Sequence, residues 1–312
     1  MNQIKSKTEL DDQELKNMLN ELMDNGIIMG ILSRTTGSMV YSLISILPGL
    51  IEYPFMKGEK GKKQKEIAKL IDKLLDELSD LTQSNYNVIV EQFKTRKPID
   101  RVVPVNKEVE MYRDVVLPYE NAKSIIERNE IIGVNYCYCR NWKNNLQQQC
   151  KLESPKLCCF QFGRYAQFLI DHSFSTLISK AEALEILKEA EDDGLIHKAI
   201  HMKNPNQEED AFCNCCDCCC QFFQLYKRGI LPFHTLSYYI AKVDEDKCTG
   251  CGTCIEKCPI EAIELVDALS STNLNKCIGC GLCAHHCPEK ARILERTGLR
   301  DIFIPPLTTS SK

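Results

Sequence analysis

Two stretches decide how the chain is read: Cys248-Thr249-Gly250-Cys251-Gly252-Thr253-Cys254-Ile255-Glu256-Lys257-Cys258-Pro259 and Cys277-Ile278-Gly279-Cys280-Gly281-Leu282-Cys283-Ala284-His285-His286-Cys287-Pro288. The second starts 29 positions after the first, and both have the form C-x2-C-x2-C-x3-C-P. Lys247, Gly250, Gly252, Pro259 and Ala262 return at the same offset as Lys276, Gly279, Gly281, Pro288 and Ala291. Self-similarity at a fixed offset over so many positions marks a duplicated structural unit.

The spacing points to a chemistry. A cubane of four irons needs one outer thiolate per iron, and three cysteines on a tight loop wrap three of them. Glycines between the cysteines let the backbone come close, because they carry no Cβ. The loop cannot also reach the fourth iron, so the fourth thiolate comes from the other repeat. Cluster I is then expected on Cys248, Cys251, Cys254 and Cys287, and cluster II on Cys277, Cys280, Cys283 and Cys258. A zinc site more commonly uses two C-x2-C pairs separated by a long loop. Residues 241–295 resemble the bacterial two-cluster ferredoxins, with all eight ligand positions matched. The resemblance implies single-electron transfer, a βαβ-type pseudo-twofold module and a low reduction potential.

The rest of the chain fits a redox protein. It has 312 residues, room for two or three domains. Hydrophobic residues make up 44% and charged residues 26%, an ordinary soluble composition. The net charge of −4 argues against a chain built to hold a polyanion, so nucleic acid is not the expected partner. Residues 1–13 lack the apolar core of a signal peptide. The most apolar stretch, Met39 to Phe55, is broken by Pro48, Gly49, Glu52 and Pro54 and is too short to span a bilayer. The expected location is the cytoplasm, where cysteines serve metal or redox chemistry rather than disulfides.

Nineteen cysteines is the outlier of the composition, and none lies before Cys137. Eight belong to the repeats. The other eleven form two groups: Cys137, Cys139, Cys150, Cys158 and Cys159, then Cys213, Cys215, Cys216, Cys218, Cys219 and Cys220. Six thiols in eight residues are too crowded for apolar packing, and neighbouring cysteines make strained disulfides. A cation resolves the repulsion of crowded thiolates. Three arrangements fit: a further Fe–S cluster, a zinc site drawing on His197 or His201, or a set of reactive thiols. The spacing does not choose among them.

Upstream, Leu10 to Asp24 has the apolar period of an amphipathic helix, closed by Gly26. Ile27–Leu32 and Met39–Ile46 then read as strands around Thr35-Thr36-Gly37. The order resembles the end of a winged-helix unit. A second helix is expected over Lys63–Thr82, and a short one over Pro118–Arg128. Ser179-Lys180-Ala181-Glu182 is a capping box that opens a helix to about Asp193, with Leu195–His197 as a following strand. The middle region, with RVVPVNKEVE, YCYCRNW, SKAEALEILKEAEDDGLIH and FCNCCDCCC, is similar to multidomain ferredoxin-type proteins of anaerobic bacteria and archaea.

The expected architecture is α+β and multidomain. It comprises a winged-helix-like domain with its following helix (1–95), a cysteine-rich α/β middle region (96–240), a two-cluster ferredoxin module (241–295) and a tail (296–312). The expected function is that of an electron carrier or electron-transfer subunit serving a partner oxidoreductase. Two other readings stay open: a redox-sensing winged-helix regulator, and an oxidoreductase whose middle cysteines hold a catalytic cluster. His285 and His286 are expected as loop residues beside a cluster, His172 and His234 as isolated histidines, and the lysines from Lys57 to Lys65 as a solvated run. Trp142 has no evident role from sequence.

Overall fold

The computed structural model describes residues 2–33, 35–109, 120–152, 157–201 and 209–308. Near the N-terminus a helix, Asp12–Asp24, packs beside an antiparallel hairpin of β1 (Ile28–Leu32) and β2 (Met39–Leu43). The helix starts at Asp11, whose carboxylate accepts from the Gln13 and Glu14 amides while Glu14 reaches back to the Asp11 N–H. Leu15, Leu19 and Met23 form its buried face, and Gly26 follows at positive φ. The second strand ends at Leu43, short of Ile46, because Ile46–Leu50 winds into a π-helical turn. Helix and hairpin are therefore present where the sequence places them, while their assembly as a winged helix rests on sequence resemblance alone. The helix Lys62–Ser84 follows, buried along Ala68, Ile71 and Leu75.

The remaining strands build the body of the molecule. They are β3 (Asp100–Val103), β4 (Ile132–Tyr136), β5 (Leu157–Phe162), β6 (Thr176–Ile178), β7 (Ile196–Ile200), β8 (Ala211–Cys215), β9 (Phe233–Val243), β10 (Ile263–Val266), β11 (Leu269–Thr272) and β12 (Arg292–Ile304). Eight of them form one sheet in the order β12-β9-β3-β7-β8-β5-β4-β6. Every neighbouring pair is antiparallel except β3 and β9. The strands β3 and β7 are buried at every position, as expected for interior strands covered on both faces. The capping box at Ser179 opens the helix Lys180–Asp192 as expected, and Leu187 and Ala190 lie buried on its inner side. Of the helix expected over Pro118–Arg128, Ala122–Glu127 is helical, and Pro118 lies outside the described residues.

The ferredoxin module is β9 to β12 with two one-turn helices, Thr253–Glu256 and Leu282–His285. Its outer strands β9 and β12 form one edge of the eight-stranded sheet, and β10 and β11 make a separate hairpin. Strand β9 runs through position 240, so the middle region and the module share a sheet. One expectation needs correction: residues 296–304 are not tail. They continue β12 in register with β9, from Arg300 opposite Ser237 to Ile304 opposite Phe233. A register shift between Arg296 and Arg300 absorbs Gly298 at φ +84°, after which Ile302 and Ile304 are buried.

Candidate iron–sulfur centres

The two repeats fold into loops with the same local features. Gly252 and Gly281, both at positive φ, precede the two one-turn helices. Gly250 and Gly279 are required for space as well as for φ. A Cβ on Gly250 would run into the Ala268 carbonyl oxygen, and one on Gly279 into that of Tyr239. Amides aim at the fourth cysteine of each repeat in the same way: Ala262 N–H to Cys258 Sγ at 3.2 Å and Ala291 N–H to Cys287 Sγ at 3.3 Å. The Ala241 N–H adds a bond to Cys277 Sγ at 3.4 Å. Such donors stabilise thiolate over thiol.

Each loop closes around a cavity together with one cysteine of the other repeat. Cys277, Cys280 and Cys283 line one with Cys258. Cys248, Cys251 and Cys254 line the other with Cys287. Each lining thus draws its fourth cysteine from the other repeat. The cavities differ in setting. Cys277, Cys280 and Cys283 are buried, whereas Cys251 is exposed and Cys248 half-buried. Burial pushes the Cys280 thiol well above its ordinary range and that of Cys283 up to about 12. Thiols so placed ionise only beside a compensating cation, which iron supplies. The chemistry of the donors therefore fits a cubane in each cavity.

Arg292 is a residue that spacing could not single out. It is 3% exposed, lines the first cavity and donates to Ser270 Oγ at 2.8 Å and to Thr272. Ser270 in turn lies 3.4 Å from Cys254 Sγ. His285 sits 3.6 Å from a Glu108 carboxylate oxygen, and burial lowers the pKa of His286.

The eleven upstream cysteines converge from four chain segments. Six form a closed ring of thiol contacts running Cys137, Cys139, Cys220, Cys215, Cys213, Cys159 and back to Cys137. The Cys220–Cys215 contact is 3.3 Å. The ring lines a third cavity. The strand pairing of β5 with β8 sets Cys159 opposite Cys213, which is how two distant segments come to share the ring. Cys158 contacts the ring from outside through Cys137 and Cys159. Cys150, Cys216, Cys218 and Cys219 form a separate group. No histidine joins either thiol group among the described residues. His197 is held by Asn214 at 2.7 Å and lies 3.3 Å from Glu191, and His201 contacts Arg101. Arg140, in the helix Tyr138–Asn145, is buried between the groups, with one guanidinium nitrogen 3.2 Å from Cys158 Sγ and the other 3.2 Å from the Asn214 carbonyl.

A larger pocket adjoins the thiol ring. It has a volume of about 400 Å³, and Tyr138 and Phe222 line both it and the ring cavity. Lys198 and Asp100, each 1% exposed, pair on its wall at 3.1 Å. The Lys198 ammonium also lies 3.8 Å from the Phe222 ring centre, and Asp100 Oδ2 takes no hydrogen bond among the described residues. A lysine in the apolar strand Ile196–Ile200 was the available signal for this site.

Comparison with known proteins agrees with the repeat. Residues 240–288 match the 4Fe–4S dicluster domain family. A probable ferredoxin of Methanosarcina thermophila is 57% identical over 28 residues, which is 9% of this chain and 48% of that protein. Ferredoxin-2 of Desulfomicrobium norvegicum is 56% identical over 27 residues, 9% of this chain and 46% of that protein. The chain thus spans about half the length of the curated relatives it matches. It carries a 4Fe–4S ferredoxin-type domain in its C-terminal part. Among the described residues no helix is long and apolar enough to cross a membrane.

Proposed function

We propose that the chain is an iron–sulfur electron-transfer protein or subunit that relays single electrons to or from a partner oxidoreductase in the cytoplasm. Cys248, Cys251, Cys254 and Cys287 hold one [4Fe–4S] cluster, Cys277, Cys280, Cys283 and Cys258 a second. The six-thiol ring supplies the ligands of a third. The observation that carries this reading is the set of three cavities, each lined by at least four cysteines. The clusters supply one-electron redox chemistry; the chain supplies thiolates, amide donors and burial. A cubane with four cysteines has no open iron position, which suits a relay rather than bond chemistry.

The setting of the cavities supports an order for the relay. Cys215, Cys220, Cys277, Cys280, Cys283 and Cys254 belong to one continuous apolar core. The exposed Cys251 places the first loop at the surface, so that loop faces the partner. The buried second loop shares its apolar core with Cys215 and Cys220 of the thiol ring. Iron and acid-labile sulfide measured on anaerobically purified protein test this: three cubanes give about twelve of each and two give about eight. Eight irons, with an EPR spectrum unchanged in Cys215→Ser and Cys220→Ser, removes the third cluster.

The large pocket favours a second reading, in which the chain is itself an oxidoreductase and the ring cluster exchanges electrons with a molecule bound there. A ligand in the pocket would then shift the EPR signal of the ring cluster and leave the ferredoxin signals in place. A ligand screen that moves no signal of the ring cluster returns the chain to a pure carrier.

A further inference from the structure

Cys150, Cys216, Cys218 and Cys219 are the one group of four cysteines that closes up tightly among the described residues; Cys137, Cys158 and Cys159 do so as a group of three. The four Sγ atoms of the larger group all lie within 4.8 Å of one another. The contacts Cys150–Cys216 and Cys150–Cys218 are both 3.6 Å, and Cys218–Cys219 is 3.7 Å. None is a disulfide, which would need about 2 Å between sulfurs. Four sulfurs about 2.3 Å from one central ion, at the corners of a tetrahedron, stand about 3.8 Å apart. Four sulfurs that each bind a different iron of a cubane must stand further apart, because the iron core lies between them. Accordingly the ferredoxin cysteines surround cavities and form no such tight group among the described residues.

The chain builds this group from two directions. Cys150 follows the helix Tyr138–Asn145, and the other three sit in the turn between β8 and the helix Gln221–Lys227. Cys216 and Cys219 are 2% exposed, and Cys150 and Cys218 are half-buried. Asp217, inside the turn, points its carboxylate away to Lys227 at 2.7 Å, leaving four sulfurs as the only donors among the described residues. Simple apolar packing does not account for thiols that converge on each other at a half-exposed site.

We propose that Cys150, Cys216, Cys218 and Cys219 bind a single divalent ion, zinc, as a closed tetrathiolate site separate from every Fe–S cluster. All four positions are filled by protein, so the ion is structural and offers no place for substrate. It pins the segment around Cys150 to the cysteine-rich turn that also supplies Cys215 and Cys220 to the ring. Cys216 lines the ring cavity as well. Its commitment to the ion leaves the other six thiols for the cluster, more than the four a cubane needs. The site stands independently of the electron-transfer reading.

Full-length protein, purified anaerobically after growth with both zinc and iron, decides this by elemental analysis together with sulfide. The expected result is about one zinc per chain beyond the iron and sulfide of the clusters. Cys150→Ser should lose that zinc while iron, sulfide and the EPR spectra stay as in the parent. Cys218→Ser, at the other half-exposed position, gives the same result if Cys150→Ser does not fold. Growth on cobalt should place Co2+ in the site and give tetrahedral thiolate absorption bands that vanish in the same variants. Absence of zinc, one iron in excess of sulfide in its place, or loss of a whole cluster from Cys150→Ser overturns the proposal.

Discussion

At the scale of single residues, the crossed sets make an unusual demand on Cys258. It follows the first loop in sequence but lines the cavity of the second. Cys258→Ser should therefore damage the cluster held by Cys277, Cys280 and Cys283 and spare the one held by Cys248, Cys251 and Cys254. Redox-poised EPR checks this, since losing the signal of the exposed cluster instead would reverse the pairing. Arg292 gives a second prediction. Its buried positive charge beside the first cavity favours the more negative, reduced state of any cluster there. Arg292→Leu should lower the reduction potential of that cluster by tens of millivolts, against about 59 mV per tenfold for one electron, and that of the second cluster too, because the guanidinium also acts on Cys283. Glu52 provides a pH dependence. Burial pushes its carboxyl up to about 7 from the ordinary 4.5, against hydrogen bonds from the Gly49 and Glu52 amides. A folded value above the unfolded one means that the native chain holds the proton more tightly. The stability it contributes is full below pH 4.5 and is lost as pH rises through 7. The loss is at most about 3 kcal/mol. Anaerobic denaturation between about pH 5.5 and 8 should show this fall, and Glu52→Gln should flatten it.

At the scale of elements, the residues that repeat at short range were legible and those that meet at long range were not. The eight ferredoxin cysteines declare their loops because the spacing within each loop is itself the geometry of the site. The capping box at Ser179 works the same way, since four adjacent residues hold all its donors and acceptors. The thiol ring needs Cys137 and Cys139, then Cys159, then three cysteines of 213–220, and β5 and β8 align them only in the folded sheet. Spacing cannot register that alignment. Strand β12 was missed beyond Arg296 for a local reason. Its inward positions between Leu294 and Ile302 are Arg296, Gly298 and Arg300, so the apolar pattern lapses there and returns only at Ile302 and Ile304. Trp142 gains a role that its isolation in sequence concealed. It is fully buried, packs with Phe55, Ala68 and Ile71, and donates its indole N–H to the Ala68 carbonyl at 3.1 Å. It thereby clamps the helix Lys62–Ser84 onto the helix that carries Cys139 and Arg140. Trp142→Ala should cost about 3–5 kcal/mol. Because that second helix begins at Tyr138, the variant should also lose metal from the middle region before the ferredoxin module, seen as selective loss of iron beyond about eight.

At the scale of the molecule, continuity of the sheet determines how the ferredoxin module is held. Strands β9 and β12 belong to the module by sequence and to the eight-stranded sheet by hydrogen bonding. The pairing of β3 with β9 joins them to the middle region at Arg101 and Leu236. The buried Glu120 adds a second tie, accepting from Arg296 at 2.8 and 2.7 Å and from the Tyr239 hydroxyl at 3.1 Å. A third comes from Val105, whose N–H bonds the Cys280 carbonyl at 3.1 Å. A tethered ferredoxin would meet its partner by swinging on a linker, and its distance from any upstream cluster would vary. Here the apolar core that holds Cys277 and Cys280 is the same one that holds Cys215 and Cys220, so their separation is fixed by packing. Fixed spacing suits a relay in which electrons cross the interior and leave at the exposed first loop. The consequence for the holo-protein is that the module should not come away as a unit. Limited anaerobic proteolysis followed by mass spectrometry should yield no cluster-bearing fragment that begins near residue 241, because the peptide there lies inside a paired strand. Glu120→Ala should ease release only modestly, since the β3–β9 pairing and the Val105 bond remain. Early and clean liberation of such a fragment from the parent protein would mean that the shared sheet does not hold the module, and the fixed relay would fail with it.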